Sequence, residues 1–201
     1  MSASGRSWQI VGDVKLDPAD ESKFVTEPGD AVAVNGPTGR TAHLFTKQQH
    51  GDVQVHVEFV VPKGSNSGVY LQGRYEIQVF DSFGVEHPKY ADCGGIYQRW
   101  KDNAGYEGRS PNVNASLPPG VWQSFDIIFR APRFDEDGKK TEPAKFVRVL
   151  HNGILVHQDE VLTGPTRAAA FGDEKPLGPI MLQGDHGPVA YRNLTIKPLE
   201  T

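Results

Sequence analysis

The chain has 201 residues, including 22 Gly and 15 Pro, and a formal net charge of −4 at pH 7 with both signs scattered along it. This density of chain-breaking residues excludes a helix bundle and favours one large β domain over two small ones. No apolar run approaches the roughly 20 residues of a membrane-spanning helix, and no basic face is present to hold a phosphate backbone, so membrane insertion and nucleic-acid binding are both excluded.

The N-terminal segment contains no targeting signal that can be recognised. Met1 to Gly5 carry neither the charged nor the apolar region of a signal peptide. The chain is therefore interpreted either as cytoplasmic or as one from which a signal has been removed. Because no repeat, linker or domain break follows, residues 1–201 are predicted to form a single domain.

Short segments of alternating apolar and polar residues follow one another along most of the chain. The clearest strand is predicted over residues 46–62, where every second residue from Val53 to Phe59 is apolar. Further strands are predicted at residues 69–72, 74–80, 122–129, 146–151, 154–158, 180–183 and 190–196. The pair Asn152-Gly153 lies between two of them and favours the type I′ turn of a β-hairpin. These short strands predict an all-β fold, a β-sandwich.

A long irregular segment, residues 83–119, is interpreted as a wall over one face of a sheet, because a loop of this length is usually functional. It carries Tyr97, Trp100 and Tyr106. These aromatic rings would either stack on a sugar ring or plug the end of the sandwich, and the sequence leaves both open.

The predicted strand at residues 74–80 separates two kinds of side chain. Period-two alternation places Tyr75, Ile77 and Val79 between the sheets and directs Arg74, Glu76 and Gln78 to a groove on the opposite face. Such a row of hydrogen-bonding groups suits a sugar. The alternative is the solvated face of an antiparallel sheet, but the aromatic Tyr70 and the guanidinium of Arg74 favour a binding surface.

The spacing Glu76-x-Gln78-x-x-Asp81 is similar to the paired-carboxylate pattern of retaining glucanases. Here the middle position is an amide, and Asp81 reaches the face of Glu76 only through a β-bulge. A double displacement through a covalent intermediate is therefore disfavoured. A lone carboxylate among amides is better matched to abstraction of a proton.

A second candidate site follows the strand predicted at residues 180–183. Asp185 and His186 lie between glycines, where an imidazole can act as a proton shuttle; the alternative is a histidine that caps a turn. Gln183 and His186 are expected in the same groove as Glu76. Arg192 is predicted to pair with a carboxylate in a buried position. The remaining histidines are predicted at the surface: His43, His50, His56, His87, His151 and His157.

Several ordered motifs carry a resemblance to one known family. They are residues 64–70 (GSNSGVY), 74–82 (RYEIQVFDS), 94–97 (GGIY), 114–116 (NAS), 119–122 (PGVW), 151–153 (HNG), 164–166 (GPT) and 182–193 (LQGDHGPVAYRN). Together they cover roughly residues 40–198 in order, whereas residues 1–39 match poorly. The sequence resembles the 3-keto-disaccharide hydrolase domain family.

The resemblance implies a concanavalin A-like jelly roll of two antiparallel sheets, found in secreted or periplasmic bacterial proteins that act on oxidised glycosides. A ketone at C3 acidifies the C2 proton, so one base can form an enediolate and the glycosidic oxygen can leave from C1. Glu76 and His186 are the predicted catalytic residues, and Arg74 or a divalent metal would stabilise the enolate oxygen. The predicted substrate-binding residues are Tyr70, Arg74, Gln78, Asp81, Tyr97, Gln183, Asp185 and Arg192.

Two functions therefore remain open from the sequence. The first is an enzyme that cleaves 3-keto-glycosides, and the second is a carbohydrate-binding module whose polar face only holds sugar. Both predict a small carbohydrate as the ligand. No metal-ligating residue and no cofactor is assigned, and the oligomeric state is left open.

Overall fold

A computed structural model describes residues 7–199, and all of its regular secondary structure in this range is β-strand. No helix in the described range could cross a membrane. The segment Met1 to Gly5, on which the signal-peptide interpretation rests, lies outside these residues. The predicted all-β fold is confirmed.

Fifteen strands follow one another within residues 7–199. They are β1 (Gln9–Asp17), β2 (Asp20–Val34), β3 (Leu44–His50), β4 (Val53–Val60), β5 (Asn66–Leu71), β6 (Tyr75–Phe80), β7 (Arg99–Lys101), β8 (Ala104–Tyr106), β9 (Gln123–Arg130), β10 (Arg133–Phe134), β11 (Lys140–Glu142), β12 (Ala144–His151), β13 (Ile154–Leu162), β14 (Gly178–Leu182) and β15 (Ala190–Pro198).

Two antiparallel sheets pack face to face as a jelly-roll sandwich. The larger sheet has the order β1-β2-β15-β4-β9-β12-β13, and the smaller has the order β3-β14-β5-β6. Two short ribbons, β7-β8 and β10-β11, complete the pairing. Neighbouring strands in both sheets are often distant in sequence, as the long connections of a jelly roll require.

Alternate residues of the two sheets fill the space between them. The larger sheet contributes Val55, Phe59, Phe125 and Phe129, among others, and β6 contributes the three residues predicted to be buried there. Those three are Tyr75, Ile77 and Val79, and none is exposed to solvent. Period-two alternation then turns Glu76 and Gln78 to the opposite face, as predicted.

The strand predicted over residues 46–62 is two strands, so this prediction is wrong. β3 lies in the smaller sheet and β4 in the larger one, and the chain changes sheet at Gly51 and Asp52. The Asp52 carboxylate fixes this crossing, because it accepts hydrogen bonds from the Ala131 amide at 2.8 Å and from the Arg133 guanidinium at 2.6 and 2.8 Å.

The turn residues Asn152 and Gly153 predicted the β12-β13 hairpin correctly. Asn152 and Gly153 both have positive φ, 51° and 77°, as a type I′ turn requires. The N-terminal hairpin β1-β2, by contrast, was not predicted. β2 is mostly exposed, but Val32 and Val34 near its end pack against Val60 in a second small core, and Phe24 packs against the same core while partly buried.

Three of the histidines predicted at the surface are buried: His50, His151 and His157. Burial lowers the pKa of His151 and of His157 to about 4, so both imidazoles are neutral near pH 7. Phe59 and Phe125 pack around the His151 ring. These histidines fill the core and lie away from the polar face of β6.

Asn35, directly after β2, fixes the loop that follows β14. Its buried side-chain amide donates to the carbonyl oxygens of Gly184 and Gly187 at 2.9 and 2.8 Å. Its carbonyl oxygen accepts the Val189 amide at 2.8 Å. One side chain thus satisfies three buried backbone groups of the loop that contains His186.

Asn35→Ala should lower the free energy of unfolding by about 2–4 kcal/mol, because it removes the partner of the Gly187 carbonyl and of the Val189 amide, whereas the Gly184 carbonyl keeps its bond from the Thr41 amide. The matched control is Asn112→Ala, since Asn112 is exposed and its substitution should cost less than about 0.5 kcal/mol. Urea unfolding followed by tryptophan fluorescence measures both values. Equal stability of the two variants would contradict the role of Asn35.

Candidate functional site

A polar cavity of about 320 Å³ lies on the face of the smaller sheet opposite the core. Strands β5 and β6 supply most of its floor, because their alternate residues point away from the other sheet. The lining residues are Asn66, Tyr70, Glu76, Gln78, Tyr97, Arg167, Ala168, Gln183 and His186. Five residues predicted from the sequence for the groove, together with Tyr97 of the irregular segment, therefore meet here.

Glu76 is the only carboxylic acid among the described residues that line the cavity. It is 2% exposed and lies directly opposite Tyr70 in the β5-β6 register. Burial raises the pKa of the Glu76 carboxyl to about 8, an effect that the hydrogen bond with Tyr70 partly offsets. Most of the carboxyl groups are therefore protonated at neutral pH.

Gly68 makes room for this carboxyl. It lies on β5 beside Tyr70, and a methyl group at its Cα would overlap the Glu76 carboxylate and touch the Tyr70 ring. The glycine is needed here for close approach and not for an unusual backbone angle.

The irregular segment covers the open edge of β6 through backbone hydrogen bonds. The Gln78 amide donates to the Gly95 carbonyl at 2.9 Å, and the Gly94 amide donates to the Gln78 carbonyl at 2.8 Å. The Tyr97 amide donates to the Glu76 carbonyl at 3.3 Å. This pairing brings the Tyr97 ring to the cavity and closes solvent access to Glu76 from that side.

Amide side chains supply neutral hydrogen-bonding groups near the carboxyl. The Gln78 amide donates to the Asn66 side-chain oxygen at 3.2 Å and to the Ala91 carbonyl at 3.1 Å. Gln183, at the end of β14, is held by its backbone: its amide donates to Gly68 at 3.0 Å, and the Ser67 hydroxyl donates to its carbonyl at 2.7 Å.

His186 reaches the cavity from the loop after β14. Its Nδ1 lies 2.5 Å from an oxygen of Asp185, which orients the ring and leaves Nε2 without a partner among the described residues. Asp185 itself does not line the cavity. The Arg40 guanidinium donates to the Asp185 carbonyl at 2.7 Å, and the Gly187 amide donates to Gly39 at 3.1 Å, so this loop is held from both sides.

Arg74 does not line the cavity, in contrast to the prediction. It precedes β6, and its guanidinium turns toward the loop after β13, where it donates to the Asp173 carboxylate at 2.8 Å and lies 4.8 Å from the centre of the Phe171 ring. A residue in a turn is not bound by the alternation of the strand that follows it. Arg74 therefore anchors a loop beside the site.

Asp81 and Arg192 also lie away from the cavity. The Asp81 carboxylate accepts the Gly64 amide at 2.9 Å and caps the turn between β4 and β5. Arg192 is on the larger sheet, where it donates to Glu58 at 2.6 Å and lies 4.0 Å from the Trp122 ring centre. Its predicted carboxylate partner is present, but the pair is half-buried and far from Glu76 in the fold.

Arg167 is a cavity residue that the strand pattern could not reveal. It follows Gly164-Pro165-Thr166, one of the motifs of the family resemblance, and this was its only signal in the sequence. The Thr166 amide and hydroxyl donate to the Arg74 carbonyl at 2.9 and 3.1 Å. These bonds bring residue 167 across to strand β6.

A neighbouring cavity of about 210 Å³ shares Tyr97 but has a different character. Its charged groups are already paired: Arg99 lies 3.5 Å from Glu107, and Arg109 lies 2.9 Å from Glu160. The cavity at Glu76 is thus the better candidate for chemistry. Within residues 7–199, no cluster of three or more His, Cys, Asp or Glu residues could hold a metal ion.

Comparison with known proteins assigns the chain to a family. The model of the 3-keto-alpha-glucoside-1,2-lyase-like domain family matches residues 4–197 and so includes the N-terminal hairpin. No curated protein matches the chain.

Solved structures of three candidate glycosyl hydrolases from Parabacteroides distasonis are similar to the chain. One is 31% identical, covers 86% of this chain and 74% of its own, and has a TM-score of 0.66. Two others, 20% and 17% identical, each have a TM-score of 0.57. They cover 96% and 98% of this chain and 100% and 92% of their own, and at this identity they support the fold alone.

Gly68→Ala should destabilise the protein by about 1–3 kcal/mol, because the added methyl group displaces the Glu76 carboxyl from its place. In a Glu76→Ala background the same change should cost clearly less, since the displaced group is gone. Gly172→Ala is the control, because the added methyl group would meet no atom within 4 Å outside the neighbouring residues of the chain. Additive costs in this double-mutant cycle, measured by urea unfolding, would contradict the proposed packing.

Glu76→Gln should become progressively more stable than the wild type as the pH rises from about 4.5 to about 8. Over this range the folded carboxyl keeps a proton that the unfolded one releases, so the wild-type free energy of unfolding falls with rising pH. The full difference is on the order of 3–5 kcal/mol. Unfolding curves at pH 5 and pH 9 measure it, with the exposed Glu86→Gln as the control that should follow the wild type. Parallel curves for Glu76→Gln and wild type would contradict the raised pKa.

Proposed function

This chain belongs to the 3-keto-alpha-glucoside-1,2-lyase-like domain family, and from that premise we propose that it cleaves 3-keto-glycosides by elimination across C1 and C2. The observation that carries the proposal is the lone buried carboxyl of Glu76 in a polar cavity. A glycosidase that forms an oxocarbenium-like transition state uses two carboxyl groups at the scissile bond. An elimination needs only one strong base.

Glu76 takes the proton from C2 in this mechanism. A C–H bond next to a ketone is a weak acid, and a carboxylate with a raised pKa is a correspondingly stronger base. The cost is a smaller ionised fraction, about a tenth of the molecules at pH 7 for a pKa of about 8. Activity therefore increases as the pH rises toward 8.

His186 gives a proton to the departing glycosidic oxygen. The Asp185 carboxylate on Nδ1 keeps the ring oriented, with Nε2 free to face the substrate. The electron pair from the C2–H bond forms the C1–C2 double bond, and the C1–O bond breaks. The products are an alcohol or sugar and an unsaturated 3-keto sugar, and addition of water to the latter makes the net reaction a hydrolysis.

The other lining residues hold the sugar. Gln78 and Gln183 offer amide groups to the hydroxyls, and Tyr70 and Tyr97 offer a phenol and a ring face. Tyr70 also contacts the base itself, so it holds the Glu76 carboxyl in one orientation. These groups bind the substrate in the same way whether or not C3 is oxidised.

Glu76→Gln and His186→Ala should each lower turnover of a 3-keto-glucoside by about 100-fold or more, the scale of losing a general base or acid. The exposed neighbours Glu86→Gln and His87→Ala are matched controls and should keep wild-type turnover. In D2O, the hydrated product should carry deuterium at C2, as judged by NMR. The corresponding unoxidised glucoside should be inert.

Two results would overturn the proposal. Rapid cleavage of the unoxidised glucoside, or a product without deuterium at C2, would exclude elimination. Tight sugar binding without turnover, equal in wild type and Glu76→Gln, would identify a carbohydrate-binding module instead.

A further inference from the structure

Arg167 lines the cavity, and its guanidinium has no acidic partner among residues 7–199. The other arginines near the site are paired: Arg74 with Asp173 and Arg99 with Glu107. Arg167 makes no such ion pair, and its side chain donates no hydrogen bond to a described residue. An arginine left in this state at a polar cavity is available for an anion.

Stacking on the Trp100 ring fixes the position of the Arg167 guanidinium. The Arg167 guanidinium lies 3.8 Å from the centre of the Trp100 ring, and its backbone amide donates to the Gln98 carbonyl at 2.8 Å. Its charge also acts within the cavity, since it opposes the rise in the pKa of Tyr97 that burial and Glu76 produce. The ring and the backbone bond hold the cation on the same side of the cavity as Tyr97.

The loop that carries Arg167 is clamped on both sides of it. Thr166 is bound to the Arg74 carbonyl, the Ala170 amide donates to Gly73 at 2.9 Å, and the Arg74 side chain binds Asp173. Between these bonds Ala168 has a φ of +61°, a conformation that residues other than glycine rarely adopt. Strain held in place by surrounding bonds is typical of a pre-organised functional loop.

The charges of the residues that line the cavity do not explain this arrangement. Glu76, the only acidic residue that lines the cavity among the described residues, is mainly protonated at neutral pH because of its burial, so the lining carries little negative charge to offset that of Arg167. A cation pre-organised in a site without a resident anion is suited to a charge that develops during the reaction.

We propose that Arg167 is the catalytic residue that stabilises the enolate oxygen on C3. The inference rests on the proposed function. When Glu76 removes the C2 proton, the electron pair forms a C2–C3 double bond and the negative charge moves to the C3 oxygen, where the guanidinium donates a hydrogen bond. The ketone then re-forms, the C1–C2 double bond appears, and the C1–O bond breaks with a proton from His186. In this mechanism Arg167 stabilises the enolate oxygen, the role that the sequence predicted for Arg74.

A substrate analogue without a glycosidic leaving group isolates this step. In 3-keto-1,5-anhydroglucitol C1 carries no glycosidic oxygen to expel, so replacement of the C2 hydrogen by deuterium in D2O reports enolate formation without glycoside cleavage. Arg167→Gln should slow this exchange by about 100-fold, the scale of removing one oxyanion donor. Arg167→Lys should recover part of the rate because it keeps the charge. Arg148→Gln, an exposed arginine on β12, is the control and should exchange as the wild type does.

The kinetic constants for a cleavable 3-keto-glucoside separate this role from simple binding. Loss of enolate stabilisation lowers kcat with KM changed only a few-fold. A higher KM with unchanged kcat, or wild-type exchange in Arg167→Gln, would overturn the inference and leave the proposed function intact. Absence of exchange in the wild type would overturn the proposed function and this inference with it. The thermal unfolding temperature of each variant is the control for folding, and it should match that of the wild type because Arg167 is exposed.

Discussion

Burial of one ionisable group, the Glu76 carboxyl, is the constraint on which the rest of the site depends. One face of β6 packs against the core and the other lies under the cavity. The residues from Tyr75 to Val79 are therefore all buried, including those that point toward the cavity. A carboxyl in that position loses most of its hydration, and its charged form is disfavoured. Gly68 provides the space and Tyr70 the hydrogen bond that make the position tolerable.

The same burial links stability to chemistry. Removing the carboxyl from water makes it a better base and at the same time weakens the fold at high pH, because the two effects have one electrostatic origin. The sandwich core of fully buried aromatic and branched residues offsets this cost, and the irregular segment excludes water by pairing with the edge of β6.

Residues outside the cavity hold in place the loops that carry the proposed catalytic groups. Asn35 fixes the loop of His186, and Arg74 fixes the loop of Arg167. Neither loop is held by regular pairing between strands, so without these side chains little would define its conformation. The arrangement offers one base, one imidazole and one cation around the same cavity, which fits an elimination better than a displacement by paired carboxylates.

The sequence alone determined what depends on neighbouring residues. Period-two alternation decides which of Ile77 and Glu76 faces the core, and Asn-Gly at 152–153 decides the hairpin turn, because both follow from local backbone geometry. The Asp-His pair between glycines, after the strand predicted at residues 180–183, also led to the prediction that Gln183 and His186 share a groove with Glu76.

Only the tertiary structure decided which distant side chains meet. Arg74, Asp81 and Arg192 had suitable chemistry but lie in turns or on the other sheet, whereas Arg167 reaches the cavity through backbone bonds to residues more than ninety positions earlier. The split of residues 46–62 between two sheets has the same cause, since Asp52 is fixed by Ala131 and Arg133. Contacts of this range depend on how strands pair across the whole domain, and no local pattern encodes that pairing.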